Sequence, residues 1–369
     1  LIQIGGLGIT SIGMGLALAA GRRISLRERT LIREAMNVGS LEGMVRLVRA
    51  IIKLTLAFEL AGVIPIFAVF AQDYPPLKAL GLSVFHSISS FNNAGIDILG
   101  GGRSLAPYRD NVLLNLSTCF LIISGGIGFL VMVDVVKCRF RFRKFTLHSK
   151  VVVTTTAFLL AAGALLLKFT DPLSWLTAFF LSVSARTAGF ATLDLGTLSN
   201  AGLFTILILM FIGASPGSTG GGIKISRIII MCKTAKQDLM RVLHPHAVTT
   251  VRFEGKPLDD KTVFGVRTYM NLYLIIFVLS TMVVAINQFD LVTTFTAVAS
   301  CLNNIGPGLE LVGPMVSFAD FSPLIKLVLS FDMLVGRLEI FPMLVLFAPS
   351  TWLRNKGHLD RRLRARNLF

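Results

Sequence analysis

Uninterrupted apolar character, with no strand-like alternation, marks seven stretches of the chain: 1–20, 51–71, 112–136, 151–169, 201–232, 268–288 and 322–348. A helix needs about 20 apolar residues to cross a bilayer's hydrocarbon, so the pattern predicts seven spans, the fifth of them broken. Three shorter apolar pieces lie between them, 77–90, 172–185 and 291–302. Pieces of this length do not cross a membrane; they are re-entrant or buried helices. The break in the fifth span is "GASPGSTGGG", 213–222, followed by Lys224. Pro216 removes a backbone donor there, and five glycines make an ordered helix costly.

Comparing the chain with itself turns this series into an architecture. The three short pieces end in related strings, "SSFNNAGID" (89–97), "VSARTAGFA" (183–191) and "SCLNNIGPG" (300–308), centred on Gly95, Gly189 and Gly306. A second glycine, Gly126, Gly221 or Gly336, follows in the next span after 31, 32 and 30 residues. Matched spacing at this period is the trace of an internal repeat. A further copy of the downstream string, "IGGLGIT" (4–10), opens the chain around Gly6. By the same rule a further helix and glycine-containing segment are expected upstream of Leu1. The predicted fold is an all-α, polytopic membrane protein of four helix–short helix–helix units, the first incomplete. Its divisions are 1–50 (second helix of unit one and a basic loop), 51–150 (unit two), 151–267 (unit three with the broken helix) and 268–369 (unit four and a basic tail).

Four such units around an axis make a pore, and the glycine strings suit it chemically. A cation leaves water in a low-dielectric environment only if fixed oxygens replace its hydration shell, and rings of backbone carbonyls do so without adding a net charge. Aiming successive carbonyls inward requires positive φ, which glycine adopts freely. A short helix ending at the string also points its negative dipole end at the ion. A lone glycine of this kind more often serves close helix packing, and Asn92, Asn93, Asn303 and Asn304 are suited to capping a helix C-terminus. The broken span has backbone that cannot face lipid, and is expected to project into the pore, below the strings, where water solvates it.

Composition and charge agree. The chain of 369 residues is 53% hydrophobic and 15% charged, with a mean hydropathy of +0.73 and a net charge of +16. Of its 36 Lys and Arg, 28 fall in 21–50, 137–150, 224–268 and 354–366, each flanking apolar sequence, the distribution of cytoplasmic loops. These basic residues are not interleaved with aromatics, which argues against nucleic acid and leaves anionic lipid headgroups and soluble partners as what they can meet. Cys119, Cys138, Cys232 and Cys301 have no metal-ligand spacing and read as small apolar fillers. Two arginines at membrane depth, Arg186 and Arg337, must be functional or paired. Asp332 and Glu339 are close to Arg337 in sequence, but its expected reach is across to another unit, to the carbonyls of the broken span.

An enzyme is a poor fit. "SPGSTGGGIK" fails as a phosphate-binding loop because Ile223 separates Lys224 from the glycines and Ile225 follows it. An intramembrane protease would need a base beside Ser215 or Ser218, and of the five histidines only His86 falls at membrane depth.

The strings "FNNAG", "RTAGF", "SPGSTGGGIKISR", "NNIGPG" and "GRLEIFPMLVL" resemble the Trk/Ktr potassium-uptake family, in particular its pore-forming membrane subunit, over essentially the whole chain. The resemblance implies uptake of potassium across a bacterial cytoplasmic membrane, a homodimer, and a cytosolic regulatory partner that binds adenine nucleotides. It also implies that Asn93, Ala94 and Gly95, Thr187, Ala188 and Gly189, and Asn304, Ile305 and Gly306 form three quarters of a potassium filter. Gly213, Ser215, Pro216, Gly217, Gly220, Gly221, Gly222 and Lys224 would form a gate, with Arg337 as the pore arginine. No cofactor besides the transported ion is expected on this chain. Ile96 replaces an aromatic frequent in the family, and Glu310 adds a charge near the outer mouth. A sodium-selective transporter, or one coupled to sodium or protons, is the alternative within the same superfamily.

Overall fold

The structure, a computed structural model, describes residues 1–8, 44–244, 250, 252–253, 256–341 and 343–344. Most of the span predicted over 1–20, the basic stretch up to residue 43 and the tail 354–366 lie outside the described residues.

Twelve helices account for nearly all the described secondary structure: α1 Ile2–Leu7, α2 Met44–Asp73, α3 Pro76–Phe91, α4 Val112–Ile127, α5 Phe129–Lys137, α6 Leu147–Thr170, α7 Trp175–Ser184, α8 Asn200–Phe211, α9 Ile225–Leu243, α10 Asp260–Val284, α11 Leu291–Asn303 and α12 Pro323–Arg337. A small antiparallel ribbon pairs Arg252 with Pro257 and Phe253 with Lys256. Many helix starts are fixed by local chemistry, a side-chain oxygen accepting from an otherwise orphan backbone N–H. Asn111 caps α4, Thr146 α6, Ser174 α7, Ser199 α8 and Asp290 α11.

Each complete unit has the same plan. Its first helix, α2, α6 or α10, is long and apolar enough to cross a bilayer. These helices present apolar side chains outward: Leu56, Leu60 and Ile64 on α2, Phe158, Leu165 and Phe169 on α6, Leu274, Val278 and Met282 on α10. Large exposed residues at this spacing make a lipid-facing stripe. The short helices α3, α7 and α11 fall where the sequence predicts them and pack inside, so that Ala297 to Asn303 of α11 are all buried.

The last helix departs from expectation in units two and four and agrees with it in unit three. The span predicted over 112–136 is two helices bent by 99° at Gly128, whose φ of 101° excludes a helical continuation. The fifth span stops at Phe211 and resumes at Ile225, as its sequence requires. The span predicted over 322–348 ends its helix at Arg337, which places that guanidinium at a helix C-terminus instead of mid-span. Units are joined in one direction: α1 packs on α3, α4 on α7 and α8 on α11, each a last helix against the next unit's short helix.

Of the cysteines, Cys119 and Cys301 are buried fillers, but Cys138 is half-buried and Cys232 exposed. Cys138 Sγ instead donates to the Lys144 carbonyl at 3.4 Å, in the turn after α5.

Candidate functional site

The strings after α3, α7 and α11 follow one backbone course. In each, the glycine and the residue two before it lie in the left-handed region: Asn93 (φ 50°) and Gly95 (65°), Thr187 (74°) and Gly189 (85°), Asn304 (55°) and Gly306 (109°). Asparagine tolerates this region, whereas a β-branched threonine is a true outlier there, held at a cost of about 1–3 kcal/mol. A serine on each short helix ties down the chain at the string glycine or just beyond it. Ser89 Oγ donates to Ile96 O and Ser300 Oγ to Gly306 O, both at 2.7 Å, and Ser184 Oγ donates to Phe190 O.

The strings also meet head to tail. A Cβ on Gly95 would fall 2.1 Å from Ala188 O, and one on Gly189 would fall 2.5 Å from Ile305 O. Glycine is therefore required twice at these positions, by φ and by the neighbour's carbonyl. Among the described residues, the carbonyls of Asn93, Ala94, Gly95, Thr187, Ala188, Gly189, Asn304 and Ile305 accept no hydrogen bond. Unpaired carbonyls on three touching strings, at the ends of three helices, are oxygens available to a desolvated cation.

The second glycines have a different task. Cβ atoms on Gly221 and Gly336 would lie 2.2 Å from Asn303 O and 2.0 Å from Leu302 O, but in unit two the close approach falls at Gly125, where a Cβ would lie 1.8 Å from Phe91 O, and not at the expected Gly126, where one would lie 3.3 Å from Asn93 Nδ2. The repeat spacing thus marks, to within one residue, where each last helix, or the loop that interrupts it, crosses the C-terminus of a short helix. At the chain's start, a Cβ on Gly6 would lie 1.9 Å from Asn92 Oδ1.

Residues 212–224 form a loop against these helix ends, and here the expectation of water-solvated backbone is corrected. The loop is buried and its backbone is paired with protein. Ala214 N donates to Gly221 O (3.1 Å), Ser215 N to Gly126 O (3.1 Å) and Thr219 N to Gly125 O (3.3 Å), while Phe129 N donates to Gly217 O (2.9 Å). The loop thereby fills the bend at Gly128, which explains why α4 and α5 part there. A Cβ on Gly128 would lie 2.6 Å from Ser215 Oγ, and that hydroxyl donates to Ile127 O. Ser218 Oγ donates to Ser215 O at 2.7 Å, and His86 is occupied elsewhere, its Nε2 2.9 Å from Thr118 Oγ1.

Three cations take further carbonyls of the loop. Arg337 Nη1 donates to Thr219 O at 2.9 Å, and its Nη2 reaches Gly5 O at 2.8 Å and Gly6 O at 3.1 Å. Lys224 Nζ donates to Gly220 O at 2.7 Å. Arg186 Nη2 donates to Gly213 O at 3.0 Å. The sequence names Arg337 as a partner of these carbonyls but leaves Arg186 without one. The signal for it was a charge directly before a glycine string at membrane depth. Glu339 pairs with Arg227 of α9 and not with Arg337, and Asp332 accepts from Ser280 Oγ at 2.7 Å. Glu310 and Ile96 are exposed.

Comparison with known proteins completes the description. The TrkH family, described as cation transport protein, matches residues 1–173 and 144–355. The potassium/sodium uptake protein NtpJ of Enterococcus hirae is 31% identical over 345 residues, covering 86% of this chain and 73% of that protein. The Ktr system potassium uptake protein B of Bacillus subtilis is 36% identical over 244 residues, 63% of this chain and 54% of that protein. The chain thus spans about three quarters of one relative's length and about half of the other's. The crystal structure of the potassium transporter TrkH from Vibrio parahaemolyticus superposes with a TM-score of 0.77 at 24% identity, over 95% of this chain and 71% of that one, a likeness of fold.

Proposed function

The chain belongs to the TrkH family of cation transport proteins, ion transporters and not enzymes, and from that premise we propose that it takes potassium into the cell across a bacterial cytoplasmic membrane. The ion passes through a filter of Asn93–Gly95, Thr187–Gly189 and Asn304–Gly306. The observation that carries this reading is that three strings of one conformation touch one another and leave eight carbonyls unpaired among the described residues. Backbone oxygens replace the ion's water, and inward movement gains about 2.3 kcal/mol per 100 mV of membrane potential. The relatives' names, potassium/sodium uptake and potassium uptake, support the choice of cargo. The name of the Enterococcus hirae protein also supports sodium as the second reading, which competition of sodium against rubidium uptake separates.

In this reading the loop 212–224 is the gate. Packed against the ends of the short helices and held by Arg186, Lys224 and Arg337, it obstructs the path until those bonds are exchanged. The protein works as a homodimer on a cytosolic nucleotide-binding regulatory subunit, which docks on the basic stretches on the cytoplasmic face. Growth on limiting potassium tests the filter. Gly189→Asp in the full-length protein abolishes growth of an uptake-deficient strain while membrane expression is retained. Rubidium uptake by this variant equal to wild type would remove the filter assignment.

A further inference from the structure

Although the three strings share a conformation, their left-handed residues differ in what they touch. The side-chain polar atoms of Asn93, and Nδ2 of Asn304, have no hydrogen-bond partner among the described residues. Thr187 does have one: its Oγ1 accepts from the backbone N–H of Gly221, within the loop, at 3.1 Å. The preceding residue strengthens the tie. Three positions before the string glycine, units two and four carry Asn92 and Asn303, each bonded to its own unit's first helix: Asn92 Nδ2 to Glu59 Oε1 and Asn303 Oδ1 to Tyr273 Oη, both 3.0 Å. Unit three carries Arg186 there, and its guanidinium leaves its own first helix aside to hold Gly213 O at 3.0 Å and Ile212 O at 3.4 Å. Both ends of the loop are thus bonded to the two residues that lead into one string. The loop's other side-chain bond to a short helix, Thr219 Oγ1 to Phe91 O at 3.0 Å, stops short of the string of unit two.

We infer that Thr187 and Arg186 couple the position of the loop to ion selection, so that the loop sets the shape of the third filter string as well as blocking the path. The inference rests on the filter-and-gate reading above. Thr187 is a β-branched residue at positive φ, a conformation that persists only while its surroundings hold it. When the loop withdraws, Gly221 N–H and the carbonyls of 212 and 213 leave with it. Thr187 then relaxes and moves the Ala188 carbonyl that lies against Gly95. The closed loop therefore keeps the ring in its selective shape, and its withdrawal loosens that shape at one quadrant. Arg186 and Thr187 act here as positioning residues.

A double-mutant cycle on ion flux in proteoliposomes of the full-length protein tests this. Thr187→Val removes the hydroxyl at nearly constant shape, Thr187→Ser restores it, and Arg337→Ala loosens the loop without touching α7. The readout is the ratio of rubidium to sodium flux. Thr187→Val lowers that ratio, Thr187→Ser recovers it, and Arg186→Lys retains more of it than Arg186→Gln. Thr187→Val combined with Arg337→Ala departs from the product of the single effects by at least about two-fold, the mark of residues in one network. Tyr273→Phe, which cuts the corresponding tie in unit four, combines with Arg337→Ala multiplicatively. If Arg337→Ala raises flux but its effect multiplies cleanly with that of Thr187→Val, the coupling is wrong and the gate stands. If Arg337→Ala leaves flux unchanged, the gate reading itself fails.

Discussion

Two kinds of glycine-bearing segment lie without helical structure in this molecule, three strings and one loop, and they treat their carbonyls in opposite ways. The strings at 93–95, 187–189 and 304–306 leave theirs without partners among the described residues, save the Gly306 carbonyl, which accepts from Ser300 Oγ. In the loop 212–224, the carbonyls of 212, 213, 214, 215, 217, 219, 220, 221 and 223 are accepted into bonds with backbone, serine or cationic side chains. The difference follows from repetition. Each string is stabilised within its own unit, by its helix and a serine behind it, so its oxygens are spare. The loop occurs once, breaks the repeat, and is held by residues of several units: the bend of α4 and α5, Arg186 at the end of α7 and Arg337 of α12. In the proposed reading, carbonyls that bind a passing ion stay free, whereas a segment that stays put until released has most of its carbonyls bonded.

Substitutions at the string glycines break the comparison most severely. At Gly189 any side chain meets Ile305 O and an unfavourable φ together, so both Gly189→Asp and Gly189→Ala are expected to lower rubidium uptake at least a hundredfold in protein that reaches the membrane. An active Gly189→Ala would show that the ring does not need the close approach.

A second group separates packing from chemistry. Gly125→Ala and Gly336→Ala push a methyl into a helix-end carbonyl within 2.0 Å. Overpacking of this kind costs about 1–3 kcal/mol, so the melting temperature of the purified protein should fall while the ratio of rubidium to sodium flux in the surviving fraction is unchanged. A changed ratio would mean that the second glycines belong to the filter itself.

The loop should respond in the other direction. Shortening 214–221, or Arg337→Ala, is expected to raise basal tracer flux about tenfold or more and to weaken control by a cytosolic partner, since one charge-assisted hydrogen bond contributes about 1.5–3 kcal/mol. Slower flux from folded variants would make the loop a support for the pore. The smallest effect concerns topology: a cysteine at position 143, in the exposed turn after α5, should not be labelled from outside intact cells, and labelling there would reverse the assignment of sides.

Much of this plan is legible in the sequence because it is written as periodicity. The pieces predicted over 77–90 and 291–302 are helices Pro76–Phe91 and Leu291–Asn303, bounded by proline, aspartate and asparagine that cap or stop a helix. The bend at Gly128 was not legible in this way. Apolar periodicity continues through "SGGIGFL" unchanged, and the cause of the bend, Pro216 and Ser215 seated against Gly128, is a contact across about 88 residues. The partner of Arg186 was hidden for the same reason. Its charge announces a need for one, but only the fold brings Gly213 to it. The spacing of the second glycines was visible while its meaning was not, since close approach and ion coordination both call for glycine.

The central claim, that free carbonyls bind the ion while tied ones hold the loop, is tested most directly by locating the ion. Crystals of the full-length protein grown in rubidium, with data collected at the rubidium absorption edge, would show where the cation rests. The account predicts anomalous density among the carbonyls of Ala94, Ala188 and Ile305 and none beside 212–224. Density against the loop carbonyls, with the strings empty, would contradict it.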